Sequence, residues 1–124
     1  MLNFYNLFKI CNFEKKIKMN LSQQDWKAQL DQDENAVVLD VRTEDECNEG
    51  MITNAINNDI FKGQGFIYKL EELDKSKNYY VYCKAGSRSE QACAVMNQLG
   101  FENTYNLIGG FMNWNGEVFM PNEH

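Results

Sequence analysis

The sequence predicts an α/β fold, a parallel sheet with helices on both faces, from three observations. Short apolar runs alternate with capped helical segments, the connections between them are short, and no internal repeat or low-complexity linker interrupts the pattern. At 124 residues and 14.5 kDa, with 44% hydrophobic residues, the chain has the size and apolar content of one domain.

The elements follow in order from Met19. Ser22-Gln23-Gln24-Asp25 reads as a capping box that opens a helix with Trp26 and Leu30 on one face. Ala36-Val37-Val38-Leu39 is a continuous apolar run, as in a strand buried on both faces, and it ends at Asp40. Thr43-Glu44-Asp45-Glu46 is a second capping box, and Gly50 suits the left-handed position past a short helix. Ala55 to Asn58 reads as a brief strand, and Phe66 to Leu73 as one or two helical turns after the loop marked by Gly63 and Gly65. Tyr79-Tyr80-Val81-Tyr82 is aromatic and β-branched, hence a strand ending at Cys83. Ser87-Arg88-Ser89-Glu90 reads as a third capping box, opening a helix with the stripe Ala92, Val95, Met96, Leu99 and a stop at Gly100. Thr104 to Ile108 is the last strand expected, followed by a Gly109-Gly110 turn and a short helix bearing Trp114.

Residues 1–18 differ from the rest: Lys9, Lys15, Lys16 and Lys18 face a single acid, Glu14, among four aromatic residues. The stretch lacks the unbroken apolar core and cleavage site of a secretory signal. It reads either as leader ahead of a start at Met19 or as an amphipathic extension, so residues 19–124 are taken as the domain.

Composition then excludes function classes. A net charge of −6 has the wrong sign for neutralising nucleic-acid phosphates, and no apolar stretch is long enough to span a membrane. Cys11, Cys47, Cys83 and Cys93 show neither C-x-x-C nor repeated spacing, which suits reduced thiols of a cytoplasmic protein rather than disulfides or a metal site. The only histidine is the terminal His124, so a histidine-based triad has no base. No cofactor is called for.

The chemistry concentrates in Cys83-Lys84-Ala85-Gly86-Ser87-Arg88, between the carboxyl end of a predicted strand and the amino end of a predicted helix. Open parallel sheets bind ligands there, and unpaired N–H groups with the helix dipole favour an anion. Cys83 is the candidate nucleophile, a thiolate stabilised by that helix end together with Lys84 and Arg88. Gly86 lets the backbone turn so that N–H groups converge, and Lys84, Ala85, Gly86, Ser87 and Arg88 form the candidate substrate cradle. Arg88 is expected to face this cradle, while Lys84 at the loop tip reads as a binding residue or a solvated one. Asp40 and Arg42 are possible supporting residues, Asp40 by touching the loop and Arg42 by pairing with a carboxylate. Glu46 reads as a cap, Trp114 as core, and Cys47 and Cys93 as helix packing.

Leu39-Asp40-Val41-Arg42, Glu46 and Gly50, the Cys83–Arg88 loop, and Gly109-Gly110-Phe111-Met112-Asn113-Trp114 together resemble, in order and spacing, a single-domain rhodanese. The resemblance covers roughly Met19 to Trp114. It implies a three-layer α/β/α fold on a five-stranded parallel sheet of order 3-2-4-5-1. It also implies a sulfurtransferase of the thiosulfate type, moving sulfane sulfur through a Cys83 persulfide from a small sulfur-containing anion or a protein persulfide to cyanide or a thiol. Related phosphatases of that fold carry five residues between cysteine and arginine, where this chain has four, which favours sulfur over phosphate or arsenate. A noncatalytic docking module is the other alternative, and the presence of Cys83 speaks against it. Met51 and Asn54 stand where the family usually has His and Gly, a change in packing or rim.

Overall fold

The computed structural model describes residues 19–121. The readings of residues 1–18, including Cys11, and of His124 lie outside them.

The first strand, β1 (Asn20–Leu21), leads into helix α1 (Gln23–Asp31), whose N-cap is Ser22; the Asp25 N–H donates to Ser22 Oγ at 3.2 Å. Strand β2 (Ala36–Asp40) follows, then α2 (Glu44–Asn48). The α2 capping box is reciprocal: Thr43 Oγ1 accepts from the Glu46 N–H and Glu46 Oε1 accepts from the Thr43 N–H. After β3 (Met51–Ile52) and β4 (Ile56–Asn57), a single 3-10 turn (Ile60–Lys62) precedes α3 (Gln64–Glu71). Strand β5 (Asn78–Tyr82), helix α4 (Ser87–Gln98) and strand β6 (Asn103–Leu107) complete the centre of the fold. A second 3-10 turn (Phe111–Asn113) and β7 (Val118–Phe119) end it.

The main sheet has five parallel strands in the order β4-β2-β5-β6-β1, which in chain order of those strands is the expected 3-2-4-5-1. Alternation along β5 feeds two cores. Tyr79, Val81 and Cys83 point to the face covered by α3 and α4, where Phe66, Leu70, Ala92, Cys93, Met96 and Phe101 pack. Tyr80 and Tyr82 point to the other face, against Trp26 of α1, Ile52, Phe111 and Trp114. Trp26 meets Tyr80, Tyr82 and Trp114 edge to face, and its indole N–H donates to Tyr105 O at 3.0 Å, so this large ring leaves no buried donor unpaired.

Two expectations are corrected here. Thr104–Ile108 is not the last strand, because β7 pairs antiparallel with β3, Met51 opposite Phe119 and Ile52 opposite Val118. The Ser87 capping box does not form: Gly86 takes the N-cap position at φ +114°, Ser87 is the first helical residue, and no side chain caps the end. The backbone has to turn sharply there to bring its N–H groups round to Cys83, a conformation open to glycine. Asn54 adopts φ +70°, the left-handed region in which asparagine is the best tolerated non-glycine residue, so the unusual residue keeps the turn. Met51, itself in β3, is buried and pairs with Phe119. Among the described residues no helix is long and apolar enough to cross a membrane.

Candidate active site

Cys83 follows directly on β5, at the carboxyl end of the central strand of the sheet, and the chain turns through Lys84, Ala85 and Gly86 into α4. The turn is held from outside. The Phe111 N–H donates to Cys83 O at 2.9 Å and the Met112 N–H to Lys84 O at 3.0 Å, which fixes the loop carbonyls outward. Gly110, at φ +62°, makes this approach possible: a Cβ there would lie 2.4 Å from Lys84 O and 2.7 Å from Ala85 N. The Gly109-Gly110 pair is therefore a seat for the loop as well as a turn.

With the carbonyls engaged, donors converge on the sulfur. The Gly86 N–H lies 3.0 Å from Cys83 Sγ and the Ser89 hydroxyl 3.3 Å from it. Burial pushes the Cys83 thiol up, but hydrogen bonds from the Ser89 hydroxyl, from the Ser89 N–H and from the Gly86 and Ala85 N–H groups outweigh it, so the thiol ionises below its ordinary value. Ser89 is fully buried, and three acceptors lie within reach of its single hydroxyl proton, Cys83 Sγ, Gly86 O at 3.2 Å and the side-chain oxygen of Asn106, as alternative partners. Asn106 in turn donates to Asn20 Oδ1 at 2.8 Å and to Gly86 O at 3.2 Å, tying the floor of the loop to β6 and β1. Neither Ser89 nor Asn106 stood out in the sequence; Ser89 was masked by its place in an apparent capping box.

The cradle residues divide by exposure. Cys83 is only 1% exposed, whereas Lys84, Ala85 and Ser87 are exposed and Gly86 is buried. A thiol so recessed is reachable by a slender terminal atom rather than by a bulky electrophile.

Arg88 has a partner outside the loop. Its guanidinium makes a two-pronged ion pair with Glu46, at 2.7 Å to Oε1 and 2.9 Å to Oε2, and lies over the Phe61 ring at 5.3 Å. The Arg88 hydrogen bonds hold the Glu46 carboxyl down at about 2, against the cost of partial burial. Glu46, read as a helix cap alone, is thus both cap and partner of the loop arginine.

Arg42 and Asp40 are brought together, but with each other. The Arg42 guanidinium reaches Asp40 Oδ2 at 2.7 Å and Gly50 O at 2.7 Å, and stacks on Phe111 at 4.3 Å. Asp40, expected to touch the loop, directs its carboxylate to Arg42, and the pair braces the end of β2. Cys47, Cys83 and Cys93 are free and buried, and burial pushes the Cys47 and Cys93 thiols up to about 12. That contrast singles out Cys83 among the described thiols.

Comparison with known proteins agrees with this geometry. The rhodanese-like domain family profile matches residues 22–117. YtwF of Bacillus subtilis strain 168 is 39% identical over 92 residues, which cover 74% of this chain and 85% of YtwF. A protein named sulfurtransferase from Allochromatium vinosum is 33% identical over 81 residues, 65% of this chain and 73% of its own. The tRNA uridine(34) hydroxylase of Cytophaga hutchinsonii is 36% identical over 102 residues, but the match covers 32% of its length, so the chain spans about a third of that relative. Among solved structures, the BH2092 protein of Bacillus halodurans superposes with a TM-score of 0.71 at 28% identity, over 94% of this chain and 86% of that one. The rhodanese-related protein of Thermoplasma volcanium gives 0.70 at 29%, over 82% and 97%. With the family profile extending from the cap of α1 to the edge of β7, and the strand order and cysteine loop already in place, the chain belongs to the rhodanese-like domain family.

Proposed function

We propose that the protein is a sulfurtransferase in which Cys83 accepts the outer sulfur of a sulfane donor and passes it to a thiol or to cyanide. The carrying observation is the set of donors around Cys83 Sγ at the amino end of α4, which stabilises a thiolate without a base. In the first half-reaction the Cys83 thiolate attacks the terminal sulfur, the bond between that sulfur and its carrier breaks, and the carrier leaves with the electron pair as an anion. The resulting persulfide terminus carries the negative charge that the same loop N–H groups hold. In the second half-reaction an acceptor nucleophile attacks the terminal sulfur and Cys83 leaves as a thiolate. Lys84, Ala85, Gly86, Ser87 and Arg88 line the approach.

Four residues separate Cys83 from Arg88, where the resemblance gives five for phosphatases of this fold, and the shorter loop favours sulfur as cargo. Intact mass spectrometry after incubation with thiosulfate tests the reading: the expected result is a gain of one sulfur atom, lost again on adding cyanide and absent in Cys83→Ser. Full sulfur transfer by Cys83→Ser would refute it.

A further inference from the structure

The buried Ser89 hydroxyl has three acceptors within reach and a single proton to give. Gly86 O is the poorest of them, because it already accepts from the Glu90 N–H at 3.1 Å and from Asn106 Nδ2 at 3.2 Å, which occupies both carbonyl lone pairs. The contest is therefore between Cys83 Sγ at 3.3 Å and the side-chain oxygen of Asn106, the closest of the three. The Asn106 amide is held with that oxygen toward Ser89, since its nitrogen donates both to Asn20 Oδ1 at 2.8 Å and to Gly86 O. Asn106 is itself buried, which denies bulk water the place of the hydroxyl.

Charge decides the contest. A thiolate draws the proton to Sγ, because a charged acceptor makes the stronger bond. Sulfur transfer moves that charge to the terminal sulfur, about 2 Å further out on the approach side and away from the fully buried Ser89. Sγ, now bonded to a second sulfur, is a neutral and weak acceptor, and the proton is better placed on the Asn106 oxygen. Resting on the sulfurtransferase reading, we infer that Asn106 is a positioning residue acting through Ser89: by taking the hydroxyl proton whenever Sγ is neutral, it favours the Cys83 persulfide over the thiolate. The same bond favours the neutral thiol, so one residue sets both balances by the same factor. With thiosulfate as donor, the Cys83 thiolate bonds to the terminal sulfur, sulfite leaves with the electron pair of the broken S–S bond, and the total charge is unchanged.

Asn106→Leu removes the acceptor at similar volume. Iodoacetamide alkylation of Cys83 is followed against pH, and the persulfide fraction is read by intact mass at a fixed ratio of thiosulfate to sulfite, at a pH above the alkylation midpoint. The expected result is an alkylation profile moved down by about half to one pH unit and a persulfide-to-thiolate ratio lowered by about three- to tenfold, the two shifts matching at tenfold per unit. Loss of packing alone would not make the thiol more acidic. In the Ser89→Ala background, adding Asn106→Leu should change neither quantity. The charged and titratable groups around Cys83 are the same in every variant: Lys84 next in the loop, Arg88 with Glu46 and Arg42 behind it, and Cys93 with Glu90 on α4. A profile that stays in place or moves up overturns the inference, as does a shift that persists in Ser89→Ala. Wild-type protein supplies a further check if Asn106→Leu does not fold: the carbon resonance of the Asn106 side-chain carbonyl should move as Cys83 ionises and return on persulfidation at the same pH, and a resonance that responds to neither overturns it. Failure of the underlying reading has a different signature, a Cys83 that takes up no sulfur from thiosulfate although the alkylation profile shifts as expected.

Discussion

Ser89 and the pair Arg42–Asp40 decide most at the scale of single residues. Ser89→Ala removes a hydroxyl from the thiolate and leaves burial unopposed by that bond, so the pH profile of Cys83 alkylation should move upward and the rate at neutral pH should fall by about tenfold. A profile that stays in place would mean that the backbone N–H groups suffice. Arg42→Ala should be costly for a different reason. It strands a fully buried carboxylate, with Arg42 and Asp40 side chains only 3% and 0% exposed, and the expected loss is about 3–5 kcal/mol in urea denaturation. Of these residues, Asp40 was expected at the loop and is instead the partner of Arg42, whereas the position of Cys83 between β5 and α4 and the pairing of Arg42 with a carboxylate were legible in the sequence, because they are local to one loop or one strand end. The Glu46–Arg88 pair was not, since its partners lie 42 positions apart and each has a sufficient local reading, as a cap and as a loop cation. Asn106 was hidden for the same reason: an asparagine in a strand carries no signal until the neighbouring strand and loop are placed around it.

Among the elements, the loops prove as constrained as the strands. Gly110 and Gly63 both have positive φ, but a Cβ at Gly63 meets nothing within 4 Å while one at Gly110 meets the Lys84 and Ala85 backbone. Gly63→Ala should therefore cost only the backbone strain, about 1–3 kcal/mol. Gly110→Ala should cost more and also reduce sulfur transfer, because the loop has to move to admit the methyl group. Thermal melts and turnover of the two variants compare them directly, and equal effects would mean that the loop is not seated on Gly110. Helices α1 and α2 and the strands β2 and β5 were readable because caps and continuous apolar runs are local signals. The ribbon of β3 and β7 was not, since two residues per strand are too short for any periodicity. The start of α4 was misread because Ser-x-x-Glu matches a capping box, whereas the need to surround Cys83 assigns the cap position to Gly86.

For the whole molecule, the described residues alone supply a five-stranded sheet and two cores, and the expected outcome of deleting residues 1–18 is a thermal midpoint and sulfur transfer close to those of the full chain. A large loss in either would assign the extension to the core. Stability should fall on the alkaline side. Cys47 and Cys93 ionise only near about 12 when folded but near the ordinary thiol value when unfolded, so the unfolded chain alone gains charge between about pH 9 and 12. Tyr80 and Tyr82, also pushed up by burial, extend the same trend to higher pH. Denaturation midpoints measured across that range check it, and a flat profile would contradict the burial of both thiols. On the acid side, Glu46 is held low by Arg88, so its contribution is present above the unfolded glutamate value and disappears as pH falls toward about 2.

The hold that Phe111 and Met112 exert on the carbonyls of Cys83 and Lys84 has a consequence in time. The donors that make the sulfur reactive are oriented by backbone some 28 positions further along the chain. During refolding, Cys83 is therefore expected to keep the reactivity of an ordinary cysteine until β6 has joined the sheet and the segment after it has docked. On this reading nucleophilicity should emerge late, with the last long-range contacts, so that an incomplete chain would be spared the oxidation that a more readily ionised thiol invites. Pulsed iodoacetamide labelling during refolding should show Cys83 becoming fast-reacting in the same phase in which Cys47 and Cys93 become protected.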